Sequence, residues 1–83
     1  MSNVEQRLNE MGITLPDAPA PAANYVPFVK TGNLVFISGQ VPFVDGKLTQ
    51  TGRLGDNATI EDGYAQARIC AINLIANLKV ACD

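Results

Sequence analysis

Tyr25-Val26-Pro27-Phe28-Val29-Lys30, then Thr31-Gly32-Asn33, then Leu34-Val35-Phe36-Ile37-Ser38: two apolar runs around a short polar break decide how this chain folds. β-Branched and aromatic residues fill both runs, and a Gly-Asn pair lies between them, so the spacing predicts a β-hairpin. Pro27 has no N–H to give to a ladder, which places the first strand at an edge or bends it there. Leu34 to Ile37 are apolar without interruption. Such a strand is expected to be covered on both faces, by helix on one side and by another subunit on the other. Gly39-Gln40-Val41-Pro42 ends it, Asp45-Gly46-Lys47 forms a further turn, and residues 47–50 are expected to make a short third strand.

Helical signals flank this β segment. Ser2 and Glu5 have the spacing of a capping box, and Val4, Leu8 and Met11 recur on one helical face. Gly12 stands where a left-handed residue closes a helix, with Ile13 able to fold back on the last turn. A short helix is predicted over 3–11. Downstream, Thr59-Ile60-Glu61-Asp62 is a second capping signature with an acid at the third helical position. Ile60, Tyr64, Ala67, Ala71, Leu74, Ile75 and Leu78 then follow helical spacing, which predicts a long helix over 60–80 with that stripe laid on the sheet. The prolines of 16–23 make an extended connector expected to lie against the body of the domain.

The predicted organisation is one α+β domain: an N-terminal helix (1–12), a Pro/Ala connector (13–24), strands (25–50) and the long helix (60–80). Two or three strands with one helix leave edges and a face uncovered. Such a unit either oligomerises or belongs to something longer. Length points the same way. The chain has 83 residues, and a chain that short buries only roughly 60% of its unfolded surface.

Composition removes several functions. Six Lys and Arg against eight Asp and Glu give 6 − 8 = −2, with no basic cluster, which disfavours binding to nucleic-acid phosphates. There is no His, so Ser-His and Cys-His nucleophile pairs and the usual zinc sites are out. No secretory signal and no membrane-length apolar run is present. A soluble cytoplasmic location is the expectation. Cys70 and Cys82 read as reduced thiols, Cys70 as a small hydrophobe within the helix and Cys82 as exposed.

Candidate site residues are few. Gly52-Arg53-Leu54-Gly55 reads as an anion-binding turn or, more simply, as a loop with an exposed Arg. Lys30, Lys47 and Arg53 are too scattered for an RNA surface. Tyr25 is either a core aromatic or a hydroxyl facing a cleft. Ser38-Gly39 closes a strand, where glycine lets a ligand approach the backbone.

Ala23-Asn24-Tyr25, the run Thr31-Gly32-Asn33-Leu34-Val35-Phe36-Ile37-Ser38-Gly39-Gln40-Val41-Pro42, Gly63-x-x-x-Ala67-Arg68 and Asn73-Leu74 together resemble the Rid family. It is also called the YjgF-like or endoribonuclease L-PSP family. The resemblance covers about residues 23–80, and the N-terminal helix is similar to that of one diverged branch. It implies a chorismate-mutase-like α+β fold, here its first half, and a homotrimer with clefts between subunits. It implies a cofactor-independent deaminase, a hydrolase that converts reactive enamines and 2-imino acids to 2-oxo acids and ammonia. Tyr25, Ser38 and Gly39 match the family's cleft residues and are the substrate-binding candidates. Gln40 and Pro42 match as turn structure. The partners implied are further copies of the chain and a small carboxylated imine or enamine. The alternatives are a non-catalytic metabolite- or protein-binding module of the same fold, and the ribonuclease or translation initiation inhibitor after which other members are named.

The chain departs from the family at Asn24-Tyr25-Val26, where the usual motif is Pro-Tyr-Ser and carries one more hydroxyl. The family Arg that binds the substrate carboxylate is expected beyond residue 83, and neither Arg53 nor Arg68 aligns with it. Nor does Cys82 align with the family Cys. These 83 residues alone are therefore expected to show no deaminase activity.

Overall fold

A computed structural model describes residues 2–18 and 23–82. The element order is α1 (Ser2–Glu10), β1 (Phe28–Thr31), β2 (Leu34–Ile37), β3 (Phe43–Val44), β4 (Lys47–Leu48) and α2 (Ile60–Cys82). The strands form two antiparallel hairpins, β1–β2 and β3–β4, rather than one sheet.

The expected first hairpin is present, with Phe28 opposite Ile37 and Thr31 opposite Leu34. Only Gly32 and Asn33 lie in the loop. Gly32 has φ +57° and Asn33 stays at negative φ, the pattern of a type II′ turn, whose twist matches the strands it joins. The first strand begins at Phe28, later than its apolar run, because Pro27 cannot extend the ladder as a donor. The Asp45-Gly46 turn is the mirror-image type I′, with φ of 53° and 78°. It pairs Phe43 with Leu48 and Val44 with Lys47. The expected third strand is thus cut to Lys47–Leu48, and its partner at Phe43–Val44 is an element that Pro42 obscured in the sequence.

α1 closes as expected. The Ile13 N–H donates to the Leu8 carbonyl (2.9 Å) and Gly12 N–H to that of Asn9 (3.0 Å), the two bonds of a Schellman motif. The hydroxyl half of the Ser2–Glu5 capping box lies outside the described residues. Leu8 is buried, and a salt bridge of 3.2 Å joins Glu5 to Lys79 of α2. Both partners are half-exposed, which limits the pair to less than about 1 kcal/mol. The start of the connector lies beside the end of α2, where Leu15, Pro16 and Ala18 share a cavity wall with Ala76 and Val80. Residues 19–22 of the connector lie outside the described residues.

At the start of α2 the capping box is reciprocal. Asp62 N–H donates to Thr59 Oγ1 (3.1 Å), and Thr59 N–H donates to Asp62 Oδ2 (2.9 Å). The Thr59 amide, a side-chain bond from Gln50 and the Thr59 hydroxyl together hold the Asp62 carboxyl below its ordinary value of 3.8.

The stripe expected on the sheet is not the one that packs. Ile60 is 66% and Tyr64 73% exposed, and Leu74 is exposed as well, as are Ala67 and Ala71. Ile75 and Leu78 are half-buried. The buried face carries Asn73, Ala76, Asn77 and Ala81. Apolar residues surround this helix on nearly every side, so periodicity could not choose the face. Hydrogen bonding chose it: Asn73 Nδ2 donates to the carbonyls of Val41 (3.3 Å) and Phe43 (3.1 Å). Asn77 Nδ2 donates to the Asn73 carbonyl one turn back (3.1 Å).

The inner face of the first hairpin carries Phe28, Lys30, Val35 and Ile37. Lys30 Nζ donates to the Ala81 carbonyl at the end of α2 (2.8 Å), where the helix dipole favours a cation. The outer face carries Val29, Leu34 and Phe36, all exposed. Coverage of the second strand on both faces is therefore not met within this chain. Only the helix side is covered, because the chain has one long helix to place there.

Asn73→Leu keeps the volume and leaves the Val41 and Phe43 carbonyls without their donor. It is expected to lower the unfolding free energy by about 2 kcal/mol, read from urea denaturation. Because the Asp62 carboxyl is held below 3.8, its stabilisation is complete above the unfolded value and lost as pH falls through the folded one. Asp62→Asn should flatten the fall in urea midpoint on acidification from about pH 5 to about pH 3.

Candidate functional site

The three site candidates gather at the open end of the first hairpin. β2 ends at Ile37, and Ser38 continues it as a latch to the segment that precedes β1. Ser38 N–H donates to the Pro27 carbonyl (3.0 Å), and Ser38 Oγ donates to the Val26 carbonyl. The Ser38 carbonyl in turn accepts from Gln40 Nε2 (3.2 Å). Residues 25–27 and 38–40 thus form the two sides of one shelf.

Each group on the shelf has a limited chemistry. The Ser38 hydroxyl spends its proton on Val26, so its oxygen is left as an acceptor. These 83 residues contain no His to act as its base. Gly39 is exposed, and a Cβ built there would meet no heavy atom within 4 Å. Among the described residues nothing crowds Gly39, so its bare backbone is open to a group from outside. Tyr25 is 39% exposed. Its amide donates to the Ala23 carbonyl (2.9 Å).

Sequence reasoning named Asn73 only as part of the family pattern and missed that it holds the shelf in place. Asn73 is 2% exposed, and its amide fastens residues 41–43, directly after Ser38-Gly39-Gln40, to the middle of α2. The signal was an Asn pair at i, i+4 inside an otherwise apolar helix. Such residues stay buried only when their hydrogen bonds are met.

The other cations are placed elsewhere. Lys30 is tied to the end of α2. Arg53 lies exposed in a loop that consumes its own polar groups. Its N–H donates to Asn57 Oδ1 (2.7 Å), and its carbonyl accepts from Asp56 and Ala58 N–H (both 3.1 Å). Gly55 N–H donates to the Ala58 carbonyl (3.0 Å). Two of the four amides of Gly52-Arg53-Leu54-Gly55, those of Arg53 and Gly55, are thus bonded within the turn, and Arg53 is exposed. Gly63 lets Leu54 sit on the helix, since a Cβ there would come within 3.1 Å of Leu54 Cδ2.

A cavity of about 520 Å³ lies behind this loop, walled by Val41, Pro42, Leu48, Leu54, Asp62 and Gln66. Gln66 Oε1 is buried there without a hydrogen-bond partner among the described residues. Cys70 and Cys82 are free thiols, half-buried and exposed respectively. Among the described residues no three His, Cys, Asp or Glu side chains are grouped to hold a metal ion. No described helix is long and apolar enough to cross a membrane.

Two hairpins followed by a long helix, with a serine-glycine shelf at the end of the second strand, define the α+β class to which the chain is similar throughout. Residues 5–83 match the family described as "YjgF/chorismate mutase-like, putative endoribonuclease", and the chain belongs to that family. It is 41% identical over 78 residues to Protein TCP17 of Trypanosoma cruzi, covering 94% of this chain and 49% of that protein. Among solved structures it is similar to one described as a "putative endoribonuclease" from Shewanella oneidensis MR-1, with a TM-score of 0.86 and 42% identity. That match covers 94% of this chain and 52% of the other. The protein Atu1372 of Agrobacterium tumefaciens, of unknown function, matches with a TM-score of 0.77 and 42% identity, over 94% of this chain and 46% of its own. The chain spans about half the length of the relatives it matches.

Ser38→Ala removes the latch to Val26 while keeping β2 intact. It should raise amide exchange at residues 26–28 and 38–40 several-fold relative to the Asn73-anchored segment, as local opening of an exposed contact does, measured by hydrogen–deuterium exchange.

Proposed function

We propose that this chain supplies one wall of a cleft in which a small carboxylated 2-imino acid is hydrolysed to its 2-oxo acid and ammonia. The observation that carries this reading is the shelf: an acceptor hydroxyl at Ser38, an uncrowded backbone at Gly39 and the exposed Tyr25 next to Val26, to which Ser38 is bonded. The reaction needs no cofactor. Water adds to the C=N carbon, a proton passes to nitrogen, and the tetrahedral adduct expels ammonia to leave the carbonyl. Backbone and hydroxyl groups suit the orientation of substrate and water in such a step.

The substrate carboxylate needs a cation. Lys30 is bonded to Ala81 at the helix end and Lys79 to Glu5, and neither Arg53 nor Arg68 matches the family Arg, so this reading takes the cation from outside these residues. The chain alone is inactive and becomes one side of a working cleft only with that second wall. The exposed Val29, Leu34 and Phe36 support assembly of three copies through the outer sheet face, since an apolar patch of this kind marks an interaction surface. A cytoplasmic setting, where such imines arise, fits the reading.

The ribonuclease reading rests on the descriptions of relatives, and this chain brings neither a His nor a basic surface to it. A coupled assay of ammonia release from freshly generated 2-iminobutyrate decides between them. Turnover is expected from the chain joined to the remaining length found in its relatives, and only background from the 83 residues alone. Ser38→Ala in the active form should lower kcat/KM about tenfold, the loss of one neutral hydrogen bond. Absence of ammonia release together with cleavage of RNA that survives repurification would overturn the proposal.

A further inference from the structure

The chain between Ser38 and Val41 is held at both ends. Ser38 N–H donates to the Pro27 carbonyl (3.0 Å), and the Val41 carbonyl accepts from Asn73 Nδ2 (3.3 Å). One side chain braces the stretch between these points. Gln40 is half-buried, and its Nε2 reaches back to donate to the Ser38 carbonyl (3.2 Å). Gln40 matches the family pattern as turn structure, and this bond gives it a further task. All of these contacts lie within the described residues.

The peptide unit that Gln40 grips ends in the Gly39 N–H. A trans peptide is planar, and its C=O and N–H point opposite ways. Fixing the Ser38 carbonyl therefore fixes the direction of the Gly39 N–H, away from the Gln40 amide. Gly39 is where the plane would otherwise turn over. Its φ is negative, and a flip of the preceding peptide carries it to positive φ, which glycine adopts at little cost. The flipped plane would present the Ser38 carbonyl, an acceptor, where the N–H, a donor, now stands. Among the described residues the Gly39 N–H donates to no backbone carbonyl.

We propose, resting on the hydrolytic reading of the shelf, that Gln40 is a positioning residue: it holds the Ser38–Gly39 peptide in the orientation that offers the Gly39 N–H to the reacting oxygen. Water adds through its oxygen to the C=N carbon, and the π pair moves to nitrogen, which takes one proton of that water. Nitrogen then takes the remaining hydroxyl proton, leaving the oxygen anionic. The oxygen closes the carbonyl as the C–N bond breaks, with its pair on ammonia. A fixed backbone donor at this oxygen favours the charged adduct over the imine, so it acts on kcat rather than on KM.

The test uses the active form, the chain joined to the remaining length found in its relatives. Gln40→Met keeps the length of the side chain and removes its donor. It should lower kcat for ammonia release from 2-iminobutyrate about fivefold, the weight of one neutral hydrogen bond on the flip, with KM within about twofold of the parent. Gln40→Glu, which at neutral pH offers only acceptors to the Ser38 carbonyl, should lose at least as much. Far-UV circular dichroism should match the parent for both, which separates this role from a loss of folding. A crystal structure of Gln40→Met should show the Ser38–Gly39 peptide turned over or in two orientations. A parent without turnover overturns the hydrolytic reading and this assignment with it. A parent that turns over while Gln40→Met keeps its kcat, or loses kcat with the peptide plane still in the parental orientation, overturns this assignment alone.

Discussion

The side-chain amide of Asn73 is the constraint on which the rest of this structure depends. It reaches out of the middle of α2 to the carbonyls of Val41 and Phe43. An amide buried to 2% exposure is costly unless bonded, and these carbonyls need a donor. The two needs are met only if α2 presents its Asn73–Asn77 face to the hairpins. That orientation turns Ile60, Tyr64, Ala67 and Ala71 outward. It also brings the end of α2 over Lys30, whose ammonium closes the other end of the contact at Ala81.

The shelf follows from the same constraint. Residues 41–43 are pinned to the helix, the β1–β2 ladder fixes Ile37 opposite Phe28, and Ser38 closes the gap between them by bonding to Pro27 and Val26. The tyrosine–serine–glycine arrangement is thus held at both sides by backbone contacts rather than by side-chain packing. The buried apolar set is small, with Leu8, Ala76 and Ala81 as its members among the described residues. A large share of the apolar surface therefore stays outside, on the outer sheet face and on the outer stripe of α2. The chain spans about half the length of its relatives, and the described residues leave those two surfaces uncovered.

The turns, the two helices and the caps at Gly12 and Thr59 were legible from residues alone. Asp45-Gly46 has one low-energy way to join two strands, and Gly32-Asn33 has few. Thr59 with Asp62 and Gly12 with Ile13 act over three to five residues, so their geometry is written locally. The family resemblance drawn from Thr31–Pro42 and the helix motif is likewise a property of contiguous sequence, and the family match over 5–83 agrees with it. β3 was hidden, because Phe43–Val44 follows Pro42 and owes its pairing wholly to the turn after it. Of the candidate site, Ser38-Gly39 stood out as a strand end, but its link to residues 25–27 did not.

Sequence by itself determined the local elements, since each depends on interactions within one or two turns of chain, where dihedral preference and side-chain capping outweigh everything else. Only the tertiary structure decided which face of α2 is inside. Nearly every side of that helix is apolar enough to bury, so hydrophobic spacing left the choice close to degenerate. Two hydrogen bonds from one asparagine, each to a carbonyl about thirty residues away in sequence, broke the tie. Burial energy varies smoothly with rotation of a helix about its axis, whereas a buried polar group is either paired or costly.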